Sequence, residues 1–74
     1  MSNKIIRRMC SDYFGVKHVR LLGKGIKVVI DRKQESLVFL TDKGFVKYED
    51  LRKDHMCYLA CYLVDEVVEV YYLI

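Results

Sequence analysis

The sequence predicts an α+β domain made of an N-terminal helix, three to four antiparallel strands, a long amphipathic helix and a C-terminal strand. Three observations lead there. Residues 48–64, YEDLRKDHMCYLACYLV, separate on a helical wheel at about 100° per residue. Tyr48, Leu51, His55, Tyr58, Leu59, Tyr62 and Leu63 gather on one side, and Glu49, Asp50, Lys53, Asp54, Cys57, Ala60 and Cys61 on the other. Residues 16–46 alternate short apolar runs with glycine-bearing turns, as strands do. The chain opens with apolar residues at helical spacing behind a capping residue. An alternative follows if residues 56–64 are extended, because Cys57, Leu59, Cys61 and Leu63 also alternate with Tyr58, Ala60 and Tyr62. The chain would then be an SH3-like small β-barrel with an N-terminal helix.

Each element has its own warrant. Ser2 or Asn3 caps a first helix running to about Phe14, with Ile5, Ile6, Met9, Cys10 and Tyr13 on one arc and Lys4, Arg7, Arg8, Ser11 and Asp12 on the other. Gly15 ends it, since glycine takes the left-handed conformation at little cost. Residues 16–22 are strand-like, Gly23-Lys24-Gly25 reads as a turn, and residues 26–30 resume as a strand, so this segment is expected to form a hairpin. A polar break at residues 31–36 precedes a strand at 37–41, a turn at Asp42-Lys43-Gly44 and a short strand at Phe45-Val46. After the long helix, Asp65 and Glu66 lead into a last strand rich in β-branched and aromatic residues, 67–73.

With 74 residues and no proline, repeat or low-complexity stretch, residues 1–74 are expected to form one domain. A core of that size gives only roughly 3–5 kcal/mol of stability. The three cysteines cannot all pair within the chain and are read as reduced thiols, which places the protein in the cytoplasm or inside a host cell. Arg7 and Arg8 interrupt the N-terminal apolar residues, so no signal peptide is expected, and no apolar run reaches the length of a membrane span. The apolar fraction of 53% is more than a small core easily hides, which points to a homodimer.

The sequence argues against catalysis. His55, Cys57 and Cys61 are the one local cluster with ligand chemistry, yet on a helix His55 points away from the two thiols and leaves zinc short of donors. No motif surrounds a Cys–His pair, and Gly23-Lys24-Gly25 lacks the spacing and following helix of a phosphate loop. No catalytic residue, metal site or cofactor is expected.

Binding is the expected activity. Residues 1–33 hold nine Lys and Arg against two acidic residues, whereas residues 34–74 hold four against eight. Lys4, Arg7, Arg8, Lys24, Lys27, Arg32 and Lys33 form the candidate nucleic-acid surface, for DNA or RNA. Lys17 and Arg20 would add to it but fall on opposite faces of a regular strand. The C-terminal strand, with Val68, Val70, Tyr71, Tyr72, Leu73 and Ile74, is expected at a sheet edge without a lysine guard, a candidate protein interface. The first reading is therefore a small, self-associating, non-enzymatic protein-interaction module, an inhibitor or adaptor of the kind viral or mobile-element genomes encode. Nucleic-acid binding through the basic half is the alternative.

Overall fold

The computed structural model describes residues 2–31 and 36–73. Its elements are α1 (Asn3–Phe14), β1 (His18–Lys24), α2 (Ile26–Asp31), β2 (Leu37–Thr41), β3 (Gly44–Lys47), β4 (Cys57–Val64) and β5 (Val67–Tyr72), with a single 3₁₀ turn at Tyr48–Asp50. The strands form one five-stranded sheet in the order β1-β5-β4-β2-β3. β1 runs parallel to β5, and the β5–β4, β4–β2 and β2–β3 pairs are antiparallel. The domain is α+β and three of the four strand pairings are antiparallel, but the strands make a single mixed sheet with β1 and β3 at its edges, so the SH3-like barrel is excluded.

The long amphipathic helix is absent. Residues 48–64 divide instead into the 3₁₀ turn, an irregular connector and β4, the central strand of the sheet. Leu59, Ala60, Cys61 and Tyr62 are all buried, which requires both faces of the strand to be covered. Successive side chains face opposite sides: Leu59 and Cys61 join the cluster under α1, while Ala60 and Tyr62 join the cluster on the other face. Leu59 pairs with Leu40 and Cys57 with Thr41, leaving Tyr58 as an extra residue. That bulge turns Cys57 to the face opposite Cys61, with which simple alternation would have aligned it.

The second strand of the expected β1 hairpin is also replaced, because residues 26–31 coil into α2. Gly25 sits so close to Tyr71 that a Cβ there would lie 2.6 Å from the ring. The chain thus leaves the sheet by crossing over Tyr71, and Val28 and Val29 pack on the cluster of Leu37, Phe39, Ala60, Tyr62 and Tyr71. The hydroxyl of the fully buried Tyr62 donates to the Val28 carbonyl at 3.3 Å, so the α2 backbone satisfies a core polar group.

α1 closes the opposite face. Ser2 caps it, its hydroxyl accepting the Ile5 N–H at 3.2 Å. Gly15 ends it at φ 67°, with its N–H bonded to the Ser11 carbonyl. Ile6 and Cys10 are buried against Val19, Leu40, Leu59, Cys61, Val68 and Val70. At the helix C-terminus Tyr13 stacks on Phe45 with ring centroids 4.3 Å apart, tying the helix to β3. At its start the Tyr72 hydroxyl donates to Asn3 Oδ1 at 2.7 Å. The helix therefore reaches from β5, near one end of the strand order, to β3 at the other.

Candidate functional site

The C-terminal strand is not an edge. β5 lies between β1 and β4, and its backbone groups are committed to both neighbours. Val68 and Val70 are fully buried and Tyr71 nearly so, while Tyr72 and Leu73 are half-buried; Ile74 lies outside the described residues. The expectation of an open strand edge ending in Tyr71, Tyr72 and Leu73 is thereby corrected. Its cause is the parallel pairing of β1, distant in sequence, along the flank that a local reading left empty.

The basic residues fare differently. Lys4, Arg7 and Arg8 are exposed on α1, Lys24 is exposed at the end of β1, and Lys27 is exposed on α2. Arg32 and Lys33 lie outside the described residues. Arg7 reaches across to the edge strand, where its guanidinium Nη1 donates to the Val19 carbonyl. This contact satisfies a carbonyl on the edge strand and fixes the guanidinium beside β1.

Two adjoining depressions lie along that flank. One, of about 390 Å³, is lined by Arg7, Lys17, His18, Val19, Arg20 and Val67. The other, of about 360 Å³, is lined by Gly15, Val16, Lys17, His18 and Glu66. Lys17 and His18 belong to both, so the two form one shallow trough with three full positive charges and a single carboxylate along it. Lys17 and Arg20 do not diverge as a regular strand would require, because Lys17 lies in the bend before β1 rather than on it. Lys17 and Arg20, set apart in the sequence reading as pointing to opposite faces, are thus brought together, and His18 is the trough residue that reading did not assign to the surface. The signal that could have found it is the close spacing of Lys17, His18 and Arg20 after a helix-ending glycine.

The chemistry of the remaining polar groups is local. His55 Nδ1 accepts the Arg52 backbone N–H at 3.1 Å, and Cys57 is separated from Cys61 by the sheet. Among the described residues no three of His, Cys, Asp and Glu come together to hold a metal ion. Burial pushes the Cys57 thiol up, with the Asp42 charge adding to it. Lys43 and Asp54 form an exposed ion pair at 3.0 Å; the hydrogen bond from Lys43 holds the Asp54 carboxyl below its ordinary value. Among the described residues no helix is long and apolar enough to cross a membrane.

Comparison with protein-family models, with curated proteins and with solved structures found no match.

Proposed function

We propose that this chain acts by binding rather than by chemistry, and that its α1–β1 flank engages the phosphate backbone of a nucleic acid. The observation that carries this reading is the trough in which Arg7, Lys17, His18 and Arg20 converge along the sheet edge. Lys4 and Arg8 on the exposed arc of α1, and Lys24 beyond the trough, extend the same sign of charge. Such a surface gains affinity by releasing counterions from phosphates and needs no base contact to do so. The trough is shallow, and the imidazole of His18 is the one ring among its lining residues. That favours backbone contact without sequence preference over stacking on unpaired bases.

The test is retention on a random-sequence duplex oligonucleotide and on heparin at low salt, with polyglutamate as competitor. Capture by the duplex, resisted by an equal charge concentration of polyglutamate, supports the reading. Binding to polyglutamate in preference to the duplex would replace it with an acidic protein partner.

A protein partner, including a second copy, is the other reading. Ile26 and Ile30 are each 58% exposed on α2, and Leu22 at the neighbouring end of β1 is 45% exposed. These side chains supply apolar surface that a homodimer or an adaptor would cover. Light scattering at tens of micromolar distinguishes a monomer from a dimer, and Ile26→Ser with Ile30→Ser is expected to return a dimer to monomer. The thiols of Cys10, Cys57 and Cys61, none joined in a disulfide, support a cytoplasmic setting.

A further inference from the structure

We propose that two copies of this chain join through their α2 helices, laid antiparallel across a two-fold axis. The contact rests on the second functional reading, in which another copy covers the apolar surface of this face. α2 turns Val28 and Val29 onto the cluster of Leu37, Phe39, Ala60, Tyr62 and Tyr71. At about 100° per residue, that leaves two pairs of side chains facing outward, the members of each pair one helical turn apart. Ile26 and Ile30 form one pair, each 58% exposed, and Lys27 and Asp31, both exposed, form the other. Among the described residues neither Lys27 nor Asp31 takes part in an ion pair. Leu22, half-exposed near the end of β1 that leads into α2, adds apolar surface.

This pattern is complementary to itself. A two-fold axis perpendicular to the plane of two antiparallel helices sets position 26 of one copy against position 30 of the other, and position 27 against position 31. Ile26 then meets the partner's Ile30 along one side of the contact, and Lys27 meets the partner's Asp31 along the other, each pairing occurring twice. Parallel helices would set Lys27 against the partner's Lys27 and Asp31 against the partner's Asp31, so charge selects the antiparallel arrangement. α2 is six residues long, about 9 Å of helix, and the contact is smaller than the roughly 800 Å² per partner of a standard interface. Association is therefore reversible and depends on chain concentration. None of Leu22, Ile26, Lys27, Ile30 and Asp31 lines the α1–β1 trough, so the two surfaces use different residues.

Sedimentation equilibrium of the folded full chain from about 10 to 500 µM tests the pairing, with Lys27→Glu and Asp31→Lys measured alone and as an equimolar mixture. Both changes are on the surface, and each suits the α2 dipole, with acid near its start and base near its end, so neither endangers the fold. The wild type is expected to dimerise. Each variant alone sets like charges together twice and is expected to dimerise on the order of tenfold more weakly. The mixture restores opposite charges across the contact and is expected to recover wild-type association, which an effect confined to one helix would not produce. Ile26→Ser with Ile30→Ser is expected to abolish the dimer. A dimer that neither charge variant weakens, or a mixture that associates no better than its components, would overturn the α2 pairing while leaving self-association standing. A wild-type chain that stays monomeric at every concentration would overturn both.

Discussion

The two edges of the sheet are closed by different means. β1 is flanked by Arg7, Lys17, His18 and Arg20, and one of its carbonyls is occupied by Arg7. β3 is four residues long, is tied to α1 through the Tyr13–Phe45 stack, and lies in a stretch, residues 42–54, with four basic and four acidic residues. Both arrangements discourage another strand from adding to the sheet, one by like charge and a capped carbonyl, the other by shortness and cover. The first keeps an excess of positive charge, even with Glu66 in the trough and Glu69 opposite Arg20, whereas the second is balanced. Charge that guards an edge can at the same time offer a surface to an anionic partner, whereas charge balanced in place cannot.

Neutralising the two edges separately sharpens that contrast. Arg7→Gln with Lys17→Gln and Arg20→Gln is expected to weaken duplex binding on the order of 100-fold at low salt and flatten its salt dependence by about three phosphate contacts. The matched set at the other edge, Lys43→Gln, Lys47→Gln and Lys53→Gln, is expected to change binding by less than about threefold. Fluorescence anisotropy reads both, and equal losses from the two sets would break the comparison.

The next effect concerns how β1 is left. Gly25→Ala drives a Cβ into the Tyr71 ring and is expected to cost about 1–3 kcal/mol by urea denaturation. Tyr71→Leu in the same chain should recover part of that loss, and a simple sum of the two single effects would remove the clash as its cause. Gly15→Ala is a smaller perturbation at the entry to β1. A Cβ has open space there, so the expected cost of about 1 kcal/mol comes from the left-handed backbone at φ 67° alone.

The smallest effect lies near β3. Removing the partner with Lys43→Ala should let the Asp54 carboxyl titrate closer to its ordinary value, read by NMR. Asp54 has a depressed value in the folded chain, so its contribution is present above the ordinary carboxylate value and is lost as pH falls through the folded one. Both side chains are exposed, and added salt should erase the difference.

Much of the layout was legible because it depends on short-range physics. The cap and stop of α1, the β2–β3 hairpin and the extended character of residues 67–72 follow from adjacent residues. Residues 48–64 misled for an identifiable reason: Glu49, Asp50, Arg52, Lys53 and Asp54 all precede residue 57, so the polar side of the wheel belonged mostly to a connector. An apolar strand buried on both faces followed it, and joining the two imitated an amphipathic helix. Residues 26–30 misled in the opposite direction. Their β-branched alternation suits a strand, but Val28 and Val29 gain burial over Tyr62 and Tyr71 only by coiling out of the sheet. The trough was half visible, since its charges are in the sequence while their convergence depends on β1 pairing with β5, more than forty residues away.

The most direct measurement is the affinity of the wild-type chain for a random-sequence DNA duplex as a function of salt concentration. For phosphate contact through the α1–β1 flank, the logarithm of the association constant is expected to fall linearly with the logarithm of salt, with a slope of about −3 or steeper. No binding at the lowest salt, or an affinity that salt leaves unchanged, would contradict it.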